Sequence, residues 1–223
     1  MDKLRNKYDV VEMIVPFLRS DQYNFIRYQI GTLVHAHTTV KDAGVLHALK
    51  GSALDKITDM LSDATPGQLE LLEQVITAED FANAEFELRE LKRYVIPFPH
   101  LTDKTIAKLF PKAKKLKGPS LDEVDYRELS YFGWYDIRSE RKFLIVRDQE
   151  VLKGIQGTFT ESKKGICSIC NGHEELGLFM ANVKTSQEQY TNRGNYICKD
   201  SEKCNRNMTS LGKLETFIDL YRV

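Results

Sequence analysis

Long apolar runs are missing from this sequence. No stretch approaches the roughly 20 residues that a membrane-spanning helix needs, and residues 1–9 hold no apolar signal core. A cytoplasmic protein without a membrane contact is therefore expected. Net charge is missing too: 32 basic residues balance 32 acidic ones. The chain as a whole is thus no polyanion binder. No glycine-rich loop follows a strand pattern to cradle a phosphate, and no serine sits in a nucleophile elbow. His35 and His37 are two apart, so on a helix they face different ways and make a poor metal pair. No pair of carboxylates stands out. The expectation is a protein that is not an enzyme and has no small-molecule substrate. Cysteine is scarce, with four in 223 residues.

Those four carry the most information. Cys167 and Cys170 are separated by two residues, Cys198 follows after 27 more, and Cys204 after a further five. Two close pairs joined by one loop have the spacing of a tetrathiolate zinc site. Four thiolates fill a tetrahedral ion and leave no position for water or substrate. One structural Zn²⁺ is the expected cofactor. Redox chemistry or disulfides are the alternative, and disulfides need an oxidising compartment. Asn171-Gly172 suits the tight turn of a zinc knuckle. His173 lies just beyond it, but the thiolates already complete the shell.

The first hundred residues read as helices. Tyr23, Ile26, Ile30, Leu33 and Val34 share one helical face, and Leu46, Leu49, Ala53, Ile57 and Leu61 a second. Thr65-Pro66-Gly67-Gln68 gives a capping box with proline at the first helical position. Thr77 is the expected cap of the next helix, with Ile76 and Phe81 as a hydrophobic staple. Pro97 and Pro99 end that helix. The fold class expected is α+β. An antiparallel helical bundle over 1–98 precedes a mixed α/β domain over 99–223, whose treble-clef finger begins near 163.

Between them Lys104 to Lys117 holds six lysines and no acid, a basic connector. From Asp59 to Glu90 the ionisable residues are acidic apart from Arg89. Strands are expected over 129–137, 141–147, 152–160 and 175–184, rich in aromatic and β-branched residues. Asn192-Arg193-Gly194-Asn195 reads as a hairpin tip, and Tyr196 leads back to Cys198. Leu211, Leu214, Ile218 and Tyr221 mark a C-terminal helix.

Several segments resemble a known family. They are Ser20 to Arg27, Tyr94 to Phe98, Lys112 to Lys117, Phe132-Gly133-Trp134 and Arg141-Lys142-Phe143. The closest are Lys164 to Cys170, Leu178-Phe179-Met180, and Gly194 to Ser201 running on to Cys204-Asn205. Together they resemble the elongation factor G-binding proteins, the fusidic acid resistance family of the FusB type, over nearly the whole chain. The five-residue gap before Cys204 is the family's own spacing. The resemblance implies a protein that binds the C-terminal domains of elongation factor G. It implies release of the factor from the ribosome when fusidic acid has locked it there. Transient ribosome contact and a monomeric state are implied as well. Four contact positions carry over: Ile166, Arg193, Tyr196 and Phe217. Ile166 departs from the phenylalanine that the family can carry there.

A nucleic-acid finger is the alternative function. Lys163, Lys164, Arg193, Lys199, Lys203 and Arg206 surround the cysteines, with Tyr190 and Tyr196 available for stacking on ribosomal RNA. Asp200, Glu202, Glu174 and Glu175 interrupt that basic stripe.

Overall fold

The computed structural model describes residues 14–113, 116, 118–184 and 190–221. Lys114, Lys115 and Lys117 of the basic connector lie outside these residues, as do residues 1–9 of the N-terminal reading. The chain divides into two compact units. One is built from Ile26–Tyr94 with the residues before Leu18. The other joins Leu18–Phe25 to Val95–Val223.

The first unit is helical. Helix α1 spans Ser20–Thr39, α2 Ala43–Met60, α3 Pro66–Val75 and α4 Phe81–Leu91. Its core comes from the apolar stripes: Ile26, Ile30, Leu33, Val34, Ala53, Ile57, Leu61, Leu72 and Val75 are buried. The capping box forms, with Gln68 N–H donating to Thr65 Oγ1 and Thr65 N–H to Gln68 Oε1 at 2.9 Å. The next cap differs from expectation. Asp80, not Thr77, accepts from Asn83 N–H at 2.8 Å. Phe81 is 69% exposed, so it staples nothing. Thr77 instead donates to Gln74 C=O behind α3. A carboxylate at the cap also suits the positive end of the helix, which favours Asp80.

The second unit is built on one antiparallel sheet, ordered β1-β2-β3-β4-β5 as a meander. The strands are Tyr131–Asp136, Arg141–Asp148, Val151–Ile166, His173–Lys184 and Tyr190–Cys198. Side chains alternate between the faces. Tyr131, Leu144, Val146, Ile155, Phe159 and Phe179 join a core that includes the four cysteines, Leu214, Phe217 and Ile218. Helices α6 (Ser201–Asn207) and α7 (Gly212–Tyr221) contribute to it. Phe132, Phe143 and Ile145 face the other way and pack with Ile106 and Phe110 of the α5 region, α5 being Asp103–Leu109.

Asn24 explains why the first turn of α1 sorts with the sheet unit. Its Nδ2 donates to the carbonyls of Asn205 at 2.8 Å and Met208 at 3.0 Å. The Asn205 carbonyl also accepts from Met208 N–H at 3.1 Å at the end of α6, so Asn24 adds a second donor there.

The expected hairpin tip is a correction. Asn192 to Asn195 lie inside β5, paired with Asn182, Ala181, Met180 and Phe179. Gly194 pairs with Met180 there, and a Cβ would make only ordinary contact with Met180 Cγ at 3.4 Å and Leu178 Cδ1 at 3.5 Å. Residues 185–189, between β4 and β5, lie outside the described set.

Candidate zinc centre

The knuckle begins where β3 ends. Cys167 N–H donates to Gly172 C=O and Asn171 N–H returns to Cys167 C=O, both at 3.0 Å. Asn171 takes φ 61°, a left-handed conformation that asparagine tolerates better than most residues. Cys198 closes β5. The five-residue gap is taken up by a helical turn. Asp200 caps α6, accepting from Glu202 and Lys203 N–H at 2.9 and 3.0 Å. Cys204 N–H then bonds to Asp200 C=O at 3.2 Å. The turn carries Cys204 back to the knuckle.

The four sulfurs are all buried and lie within 4.8 Å of one another. Cys167 and Cys204 approach to 3.8 Å, Cys170 and Cys198 to 3.6 Å. A tetrahedral zinc with bonds of about 2.3 Å puts its sulfurs about 3.8 Å apart. A disulfide would need about 2.05 Å. The geometry fits the metal and not a bridge, and the thiols are free.

The surroundings are built for thiolates. Ile169 and Cys198 N–H both donate to Cys167 Sγ, at 3.3 and 3.4 Å, and Gly172 N–H donates to Cys170 Sγ at 3.4 Å. Hydrogen bonds from the Cys170, Cys198 and Cys204 thiols pull the Cys167 thiol down. Cys204, bonded to that thiolate and buried, is pushed up. Tyr131 Oη and Ser201 Oγ are buried without a hydrogen-bond partner. Burial pushes the Tyr131 phenol up, and the neighbouring Cys204 pushes it further. With zinc bound, a thiolate at Cys204 would supply the acceptor that the Tyr131 phenol lacks.

Lys142 was not legible as part of the site. It is fully buried on the metal side of β2, on the same face as Leu144 and Val146. Its Nζ donates to Lys199 C=O at 2.7 Å and sits 5.1 Å from the Phe159 ring centre. Burial pushes its pKa down to about 8 against an opposing pull from Cys204 and Cys198. Four thiolates around a divalent cation leave two negative charges, and Lys142 is placed to offset one. The signal in the sequence was its inward position on an otherwise apolar strand.

The transferred contact positions separate. Ile166 is 57% exposed at the end of β3 and Tyr196 is 49% exposed on β5. Ser168 N–H bonds to Tyr196 C=O at 2.9 Å, so the knuckle holds that strand. Tyr196 pairs with Leu178, beside Met180, on the side of the strand away from Asn195 and Ile197. Arg193 is half-buried, three residues away and therefore on the opposite face. Tyr221 Oη donates to its carbonyl at 3.4 Å. Phe217 is 2% exposed. Its ring packs on Phe179 at 5.9 Å and on Tyr221 at 4.7 Å. It supports the sheet from behind and presents no surface. Its place beside the α7 stripe did not distinguish these outcomes.

The basic residues of the nucleic-acid alternative are partly tied down. Lys199 pairs with Glu161 at 2.8 Å and Lys203 with Glu174 at 2.7 Å. His173 is exposed and stands outside the cysteine cluster. Among the described residues no other metal-type cluster of histidine, cysteine or carboxylate occurs. No described helix is long and apolar enough to cross a membrane.

Comparison with known proteins agrees with this geometry. Residues 17–99 match the family of the N-terminal region of elongation factor G-binding proteins. Residues 109–217 match the C-terminal treble-clef zinc finger of the same proteins. No curated protein matches significantly. Among solved structures, that of the fusidic acid resistance protein FusC is similar, with a TM-score of 0.79 and 29% identity. The likeness covers 93% of this chain and 98% of that one. With both halves matched in order, and four cysteines set as a treble clef requires, the chain belongs to the elongation factor G-binding protein family, whose members are binding proteins and not enzymes.

Proposed function

We propose that this protein binds translation elongation factor G through its zinc-finger unit and promotes its release from the ribosome when fusidic acid locks it there. The observation that carries the reading is the end-to-end match, with both family regions in order along one chain. The physical design supports it. A closed tetrathiolate holds one zinc ion, leaves no catalytic position and rigidifies the strands around it. The contact surface is the exposed side of β4 and β5, with Tyr196 at its centre and Leu178, Met180 and Ile166 beside it. Tyrosine is a frequent interface anchor. Arg193 contributes from the strand's other side, and Phe217 acts by keeping the sheet in shape. The factor's C-terminal domains are the proposed target. The protein works as a cytoplasmic monomer in transient contact with the ribosome.

The test is translation in a purified system stalled with fusidic acid. The proposal expects added protein to restore factor turnover, and Tyr196→Ala to lose most of that effect with zinc content unchanged. Turnover that stays blocked at saturating protein would refute release.

A further inference from the structure

The structure points to a second binding surface on the sheet unit, one for an extended basic peptide segment. We infer it from the free edge of β1. This strand is the last in the sheet, paired only with β2. In an antiparallel pair, residues alternate between bonding their partner and pointing their N–H and C=O outward. Tyr131 points outward: its N–H donates to Asn205 Oδ1 at 3.2 Å, and its C=O accepts from Asn205 Nδ2 at 2.9 Å. The side-chain amide of Asn205 thus acts as one peptide unit of a sixth strand. By the same alternation Gly133 and Tyr135 point outward, and no described group continues what Asn205 begins.

A cavity of about 600 Å³ lies along that stretch of edge. Phe132 to Tyr135, Asp200 to Glu202 and residues of the segment from Pro119 to Leu129 line it. Trp134 lines it, and its indole N–H is buried without a partner. Edge strands left open in this way are sites for strand addition, with backbone bonds giving affinity and side-chain pockets giving selectivity.

Charge chooses the occupant. The lining carries Glu123, Asp125, Glu128, Asp200 and Glu202. Among the described residues the single lining cation, Lys199, is paired with Glu161. Glu123 and Glu202 are exposed at the rim. An RNA backbone is repelled by such a groove, whereas alternating lysine or arginine side chains on an added strand meet opposite charge. The surface uses β1, at the opposite edge of the sheet from Tyr196 on β5, so it is a different site from the one proposed for elongation factor G.

The test titrates the isotope-labelled, zinc-loaded full chain with a short peptide alternating valine with lysine and arginine. A matching peptide with glutamates serves as control. The inference expects shifts and slowed exchange at the Gly133 and Tyr135 amides with the basic peptide alone. The variant Glu123→Lys with Glu202→Lys, which alters only exposed side chains, should weaken binding about fivefold or more. Absence of any change at these two amides, or equal binding of the acidic peptide, would overturn it. Elongation factor G takes no part, so either result is independent of the function proposed above.

Discussion

The two units of this protein are stabilised by different means. The helical unit relies on many small contributions: apolar stripes, a capping box at Thr65, a carboxylate cap at Asp80. The sheet unit concentrates its stability at one point, where four buried thiols, two hydroxyls and a buried lysine meet. The first should lose stability gradually as contacts are removed. The second should fail abruptly when its ion is lost, and the surface carried by β4 and β5 should fail with it.

The largest expected effect separates the units outright. Zinc in thiolate modules contributes about 10–16 kcal/mol of apparent folding energy at neutral pH. Cys198→Ser, or removal of zinc by a chelator, should melt the end of the sheet and leave the α1–α4 helices folded. Circular dichroism combined with amide exchange reads both outcomes in one sample. Acid should act in the same direction. Zinc requires all four thiols deprotonated, so protons compete with the ion for its ligands. Stability from such groups is present at higher pH and lost as pH falls. Zinc release followed with a metal indicator should therefore rise on acidification and not on alkalinisation.

A smaller effect is expected at Phe217. Truncating a buried phenylalanine costs about 3–5 kcal/mol. Phe217→Ala should lower the melting point of the sheet unit sharply, and weaken partner binding only in proportion to the unfolded fraction. Tyr196→Ala, at the surface, should alter stability by about 0.5 kcal/mol or less while weakening binding directly. Denaturation curves measured beside binding isotherms distinguish a supporting residue from a contacting one.

Lys142 tests the electrostatic side of the comparison. An unpaired buried cation costs stability, but one facing a dianionic centre repays part of that cost. Lys142→Met should leave the zinc-free protein no less stable and weaken zinc binding about tenfold, near 1.4 kcal/mol. Chelator competition measures the second quantity. Unchanged affinity would mean that the lysine serves packing alone.

The smallest effect belongs to the helical unit. Thr65→Ala removes one acceptor from the capping box and should cost about 1 kcal/mol. Zinc affinity should not change, which a thermal melt and a metal titration check together.

The same contrast governs what was legible in the sequence. Cysteine spacing fixes ligands because few arrangements put four sulfurs around one ion, and Thr65 to Gln68 specify their own local bonds. Asn192 to Asn195 have the composition of a turn, yet they pair with Asn182 to Phe179 inside β5, and composition does not report a cross-strand partner. Thr77 and Asp80 both offer a cap, and only the register of α4 decides between them. Phe217 and Lys142 escaped for a common reason. Their roles depend on what covers them, namely Phe179 and Tyr221 in one case and the thiolates in the other. No local pattern reports that.

The central claim is that the zinc-supported sheet surface around Tyr196 binds elongation factor G. Calorimetric titration of the zinc-loaded protein with purified factor, beside a variant carrying Ile166→Ala and Tyr196→Ala, tests it most directly. The account predicts saturable one-to-one binding by the parent protein and at least tenfold weaker binding by the variant at equal zinc content. Absence of binding by the parent, or undiminished binding by the variant, would contradict it.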